Sequence, residues 1–399
     1  MRSMKISKFL TPVFVALLFV CISALAQAQA FQVLYTFHGP DGAGPYGPLT
    51  LNSAGDIYGT TSFGGSGSCS LGCGAAFALD KSGTLLGSYS FNGKDGAYPE
   101  GGLLQDSAGN FFGVTVGGGN YAQNCGGAQG AGCGVVFKLT PKGKQTAYKF
   151  TGSGPWDPTG ALVQDAAGNL YGTTESSGRS NGGTVYKLDP MGKLTKLQGL
   201  GFFCGAYGLI MLGGDLYGSV DGSLCRNQYT FQMTTHGSYT LIGFGANSLL
   251  VADSAGNLYG TTGNNVDSGT VFKLSPNGFG WNQTTIYKFC QLRGCADGQE
   301  PIGPLAIDST GNIYGTTLFG GDSQNCNGGG CGVVFKLDPR GNETVLYDFT
   351  DGADGAFPEG GLRMDSAGNL YGGTEVGGDF TCPDGLGKAG CGTVFKVTP

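Results

Sequence analysis

Charge and histidine are both scarce in this chain. Of its 399 residues only 13 % are charged and 2 are His. Without a basic run there is nothing to displace counterions from a phosphate backbone or an anionic membrane, so nucleic acid is excluded as a partner. His38 and His236 sit in different kinds of segment, and neither has the spacing of a helical metal motif. No nucleophile elbow or ordered triad stands out. No Cys pair shows the C-x₂-C spacing with His partners that zinc draws on, and no loop has the acidic order of an EF-hand. Catalysis is thus thinly marked, and the balance of the residues lies with a non-catalytic protein.

Long apolar runs are missing after the first thirty residues. Arg2, Lys5 and Lys8 precede an apolar stretch from Phe9 to Leu25, and Ala26, Ala28 and Ala30 then alternate with Gln27 and Gln29. This is a secretory signal peptide over 1–30, with cleavage after Ala28 or Ala30. An N-terminal anchor is the rival reading, but the run is short of the ~20 apolar residues that cross a bilayer. Lipidation at Cys21 is disfavoured by the branched Val20 before it. The mature chain, 31–399, is then one domain with no membrane span. Losing three basic residues takes Lys+Arg from 22 to 19 against 28 Asp+Glu, a net charge near −9.

Glycine and cysteine are what the chain has in quantity. Its 79 Gly follow no three-residue period, which points to turns rather than collagen. Of 13 Cys, twelve follow the signal and fall in near neighbours: Cys69 and Cys73, Cys125 and Cys133, Cys204 and Cys225, Cys290 and Cys295, Cys326 and Cys331, Cys382 and Cys391. An even count in an exported chain favours disulfides, and pairing of neighbours is the simplest connectivity, though sequence leaves the others open.

A multi-part unit recurs. Its clearest copy reads PEGGLRMDSAGNLYGGT from Pro358 to Thr374, then CGTVFKVTP from Cys391 to Pro399. The aromatic before the strand glycine returns at Tyr58, Phe112, Tyr171, Tyr217, Tyr259, Tyr314 and Tyr371, at intervals of 54, 59, 46, 42, 55 and 57 residues. Such a period without helical stretches predicts propeller blades. Strand a is the GGLLQD type, b is NLYGTT, c is GTVFKL and d is LLYSF-like. The a-to-b link Asp-Ser-Ala-Gly-Asn makes Asp106, Asp165, Asp253, Asp308 and Asp365 turn formers before anything else. The Gly after each strand-b aromatic marks close approach of a neighbouring ring or backbone.

The chain opens on a d-type strand, FQVLYTF from Phe31 to Phe37, and stops after a c-type strand. If the first strand completes the last unit, the fold is an all-β seven-bladed propeller of four-stranded blades, closed by that pairing and free of bare edges. A linear solenoid, or six or eight blades, are the alternatives, the latter because Ala206–Phe244 is the weakest copy. One face then carries the short a–b and c–d turns, and the other the variable b–c and d–a loops with the cysteines. Variable loops on a rigid frame are where recognition concentrates.

The d–a loops repeat an acidic and aromatic signature. It supplies the candidate ligand-binding residues: Asp41, Tyr46, Asp95, Tyr98, Glu100, Trp156, Asp297, Glu300, Asp354, Phe357 and Glu359. Carboxylates suit a hard cation such as Ca²⁺, although Asp-Gly is also an ordinary turn. The rings could stack on sugars or wedge between blades.

The GNLYGTT, GTVFKL and LYSF pieces, with DGAxPxGGL between copies, resemble the GloVer tandem repeat of secreted bacterial proteins, also met as HAF-type extracellular repeats, and are similar to NHL-type repeats. The resemblance covers nearly all of the mature chain. It implies a bacterial protein, secreted or periplasmic, with no established catalytic residues and no required cofactor. The leading expectation is therefore a ligand-binding or surface-interaction scaffold whose partner is a glycan or a cell-surface protein. A carbohydrate-active lyase or hydrolase with paired carboxylates, or a structural envelope protein, are the alternatives.

Overall fold

The computed structural model describes residues 30–121, 125, 132–140, 143, 145–152, 154–177, 182–201, 205–220, 228–246, 248–264, 267–382 and 390–399. The expected signal segment, apart from Ala30, and both Cys204 and Cys225 lie outside them. The described chain is all-β apart from two 3₁₀ turns, Arg293–Cys295 and Cys326–Gly328.

In five of the seven units the a–b turn is fixed by an aspartate, and in the first Asn52 takes its place. Asp365 Oδ1 accepts the N–H groups of Ala367 and Asn369, and Oδ2 accepts from the Asn369 amide and, at 3.0 Å, the Tyr371 hydroxyl. Those donors hold its carboxyl below the usual range although partial burial opposes them. In the equivalent turn Asp308 falls to about 2, again against desolvation, chiefly through Asn312 and Thr310. The strand-c lysines lie over the same tyrosines, Lys396 at 5.8 Å from the Tyr371 ring and Lys336 at 5.7 Å from Tyr314. These aspartates are consumed by local structure.

Strand b carries Gly because a ring fills the space a side chain would need. A Cβ on Gly315 would lie 2.5 Å from Phe335 Cζ and 2.7 Å from Leu305 Cδ2. The same holds along the chain, for example at Gly113 against Phe137 and Gly372 against Phe395. Neighbouring units meet through those rings. The Phe ending one d strand packs edge-on against the c-strand ring of the next unit: Phe91 on Phe137, Phe289 on Phe335 and Phe349 on Phe395, with centroids 4.9–5.2 Å apart. All six are 0 % exposed. Burying such a ring contributes roughly 1.5–3 kcal/mol, and the edge-to-face contact about 1 kcal/mol more.

The strands form six hydrogen-bonded sheets, five of four strands and one of eight. This corrects the expected ring of seven separate four-stranded blades closed by the N-terminal strand. The units over Pro155–Gly199 and Ala206–Phe244 are joined into a single sheet by a parallel bridge from Ala161 to Gly208. The bridge exists because Gly160 and Gly208, at φ 72° and 121°, lack the side chains that would hold the two backbones apart. Ala30–Thr36 pairs antiparallel with Thr393–Thr398 and shares its sheet with Leu370–Thr374 and Arg363–Met364. Among the described residues no helix is long and apolar enough to cross a membrane.

Five disulfides join the expected neighbours: Cys69–Cys73, Cys125–Cys133, Cys290–Cys295, Cys326–Cys331 and Cys382–Cys391. Each closes a loop with a separation of only 4 to 9 residues. On the chain-entropy account such a bridge contributes about 2 kcal/mol. The double variant Cys326→Ser/Cys331→Ser is therefore expected to lose about 2 kcal/mol in urea unfolding with an unchanged slope. Collapse of the whole fold would contradict this.

Candidate functional site

All seven units place one residue on a single cavity. In five of them it is the middle residue of a Pro-x-Gly triplet, namely Tyr46, Glu100, Thr159, Ile302 and Glu359, and Tyr207 and Leu249 occupy the same place in the other two. The following glycine lets the chains come close enough to enclose it. A Cβ on Gly101 would fall 2.4 Å from Gly160 O, and one on Gly160 would fall 2.4 Å from Tyr207 O. The cavity is about 130 Å³. A buried water needs ~10–15 Å³ measured this way, so the space admits several waters or one small ring.

The residue before the proline is held in the left-handed region, at φ 58° for Tyr98, 64° for Asp157, 56° for Glu300 and 55° for Phe357. A non-glycine residue there carries strain of ~1–3 kcal/mol. A fixed hydrogen bond opposes it: the N–H groups of Tyr98, Asp157 and Phe357 donate to the carbonyls of Cys73, Cys133 and Cys331 at 3.0–3.1 Å. Each acceptor is the second cysteine of the preceding unit's disulfide. The bridges thus brace the turns that aim Glu100, Thr159 and Glu359 inward.

The cavity is acidic. Glu100, Glu175 and Glu359 line it, and Asp157, 6 % exposed, lies near enough for its charge to act on Glu100. No Lys, Arg or His occurs among the described lining residues. Burial first, and then the charges of Glu175, Asp157 and Glu359, push the Glu100 carboxyl up to about 8. Burial and Glu175 push Asp157 up to about 7, and its Oδ1 has no hydrogen-bond partner. The Tyr46 hydroxyl bonds to Glu359, and that residue's charge, more than burial and Glu100, drives the phenol far above its usual range. Arg363 is buried elsewhere, its Nε donating to Leu49 O at 3.0 Å. Among the described residues no group of three or more His, Cys, Asp or Glu is arranged to hold a metal ion.

Of the residues singled out in the sequence, the structure brings together Tyr46, Glu100 and Glu359. Asp41, Asp95, Asp297 and Asp354 do a local job instead. Each accepts the hydroxyl of a strand-d tyrosine, from Tyr35, Tyr89, Tyr287 and Tyr347, and a backbone N–H of its own loop. Tyr98, Trp156 and Phe357 are buried in the packing between units, Phe357 edge-on to Phe319 at 5.6 Å. Glu300 is half-buried at its pre-proline corner. Sequence reading missed Asp157 and Glu175. Their signal was positional and weak: Glu175 stands where other copies have Ser62, Val116, Gly263 and Leu318 but also Asp221 and Glu375, and Asp157 where they have Tyr98, Phe357 and Glu300.

An all-β repeat architecture with a propeller-like arrangement around an acidic cavity is thus the class. The chain belongs to the Gloeobacter/Verrucomicrobia repeat family, which matches residues 121–296 and 245–399. No curated protein sequence matches the chain significantly. Among solved structures it is similar to virginiamycin B lyase from Staphylococcus aureus, at 13 % identity and TM-score 0.60 over 93 % of this chain and 99 % of that one. It is also similar to a streptogramin B lyase, at 14 % identity and TM-score 0.57 over 93 % and 97 %. At these identities the likeness is one of fold. The expectation of a non-catalytic binding scaffold is corrected: the fold is one that lyases also use, and this chain's own cavity gathers carboxyls that burial and neighbouring charge hold above their ordinary range.

Proposed function

We propose that this chain is an enzyme that cleaves a glycosidic linkage by acid–base chemistry on paired carboxylates. The observation that carries the reading is Glu100, a cavity carboxyl raised to about 8 beside other carboxylates. Groups with environments that push their pKa values apart supply an acid and a base at one pH. Glu100, protonated, gives its proton to the leaving oxygen. Glu175, exposed to solvent, takes a proton from water, whose oxygen bonds to the anomeric carbon as the glycosidic C–O bond breaks. Hydrolysis is favoured over eliminative cleavage of a uronate, which needs a cation to neutralise the substrate carboxylate, and the described lining offers none. Export of a bacterial protein, and the NHL-like character of its repeats, belong to the same proposal.

A panel of aryl glycosides tests it. Turnover is expected with a rate that falls as pH rises through about 8, where Glu100 ionises. Absence of hydrolysis across the panel, or a rate that climbs through that window, overturns the assignment.

A further inference from the structure

We propose that a second pocket, built around Arg363, binds a monocarboxylate with an apolar body, such as a short aliphatic acid. The proposal is independent of the hydrolase reading, since this pocket shares no lining residue with the acidic cavity. It lies between the first strands of the last unit and the first two, Arg363–Met364, Thr50–Leu51 and Leu104–Gln105, and measures about 450 Å³. Two observations carry it. The first is a cation without a counter-ion. Nε of Arg363 donates to Leu49 O at 3.0 Å, and its terminal nitrogens bond to no described residue. Burial alone lowers its pKa, with no neighbouring charge contributing. No Asp or Glu lines the pocket among the described residues, and Asp365, two residues on, is taken up by its own turn. Arginine cannot shed its proton to escape the cost of such a site, so an anion is what the site lacks.

The second observation is that the structural task at this position needs far less than a guanidinium. Thr50, which holds the same place in the first unit, makes the equivalent link with its hydroxyl to Leu103 O of the next unit. Elsewhere the same place is Leu104, Val163, Ile210, Val251 and Ala306, none of them charged. Arg363 makes the link with Nε and keeps the whole outer edge of its planar fork for something else. That edge matches both oxygens of one carboxylate, which also balances a single positive charge. A phosphate dianion brings more charge and more bound water than the pocket answers, because Leu51, Leu104 and Met364 line it too. Those side chains fit an apolar body, and the Gln105 amide adds a donor.

The test is calorimetric titration of the full chain at pH 7 with sodium hexanoate, hexanol and inorganic phosphate. Hexanoate is expected to bind at least about tenfold more tightly than either of the others, and to raise the thermal midpoint. Arg363→Gln should lower hexanoate affinity at least about tenfold and remove that midpoint shift. Its own midpoint, at or near the wild-type value, shows that the variant is folded, because the change discards an unpaired charge. Arg363→Lys is the second variant. It keeps a charge and loses the fork, and a several-fold loss of hexanoate affinity is expected. No hexanoate binding by the wild type, hexanol or phosphate bound as tightly, or full affinity in Arg363→Gln or Arg363→Lys would overturn the proposal.

Discussion

Glu100→Gln is expected to lower turnover by about 10²–10⁴-fold while making the protein more stable above pH 8. The activity loss follows from replacing the proton donor with an amide of the same shape. The stability gain follows from linkage. In the unfolded chain Glu100 ionises near the model value of 4.5, and in the fold it does so at about 8. Below pH 4.5 the carboxyl is protonated in both states and the shift has no effect. Between 4.5 and 8 the unfolded chain gives up the proton and the folded one keeps it, so stability drains through that window and levels off above it. Asp157 adds a second decline between the model value of 3.8 and about 7. Glutamine has no proton to lose, so the variant escapes the Glu100 part, a gain on the order of a few kcal/mol. Urea unfolding at pH 4, 6 and 9, read beside kcat, checks both halves. A variant that loses activity and stability together at pH 9 would place Glu100 in the framework instead. A stabilising change that removes function is the mark of a site held against its own folding preference.

Most of the framework could be read from the residues because it repeats. A turn aspartate, a strand glycine and a ring recur at fixed spacing, and each has one physical reason wherever it occurs: Asp365 caps its turn, and Gly372 makes room for Phe395. The five expected disulfides that fall on described residues form for a similar reason, since short loops leave neighbouring cysteines little else to reach. The division into sheets was not legible. It turns on one backbone approach at Gly160 and Gly208, and glycine at either position reads like any other turn glycine. The site was legible only in part. Searching for acidic signatures finds aspartates such as Asp95 and Asp354, whose oxygens are taken up by Tyr89 and Tyr347. The cavity acids stand at positions that vary from unit to unit, Glu175 where others have Val116, Leu318 or Glu375 and Glu100 where others have Thr159 or Ile302, and only the fold shows which of them share a cavity.

The same logic makes the pairing of strand glycine and ring the most sensitive point of the framework. Gly315→Ala places a methyl 2.5 Å from Phe335 Cζ and 2.7 Å from Leu305 Cδ2, inside a core where Phe335 is 0 % exposed and already packs on Phe289 at 4.9 Å. Neither ring has room to retreat, so the cost is that of overpacking, about 1–3 kcal/mol. Phe335→Ala empties the same space and is expected to cost about 3–5 kcal/mol. Phe335→Leu alone leaves a smaller void. Joined to Gly315→Ala, it removes the distal ring atoms that the new methyl strikes, and the methyl partly refills what the ring vacated. The double variant should then be less destabilised than the two single changes added together, with a coupling of about 1 kcal/mol or more. Strict additivity in urea unfolding would mean that the ring does not dictate the glycine, and the explanation offered for all seven units would lose its basis.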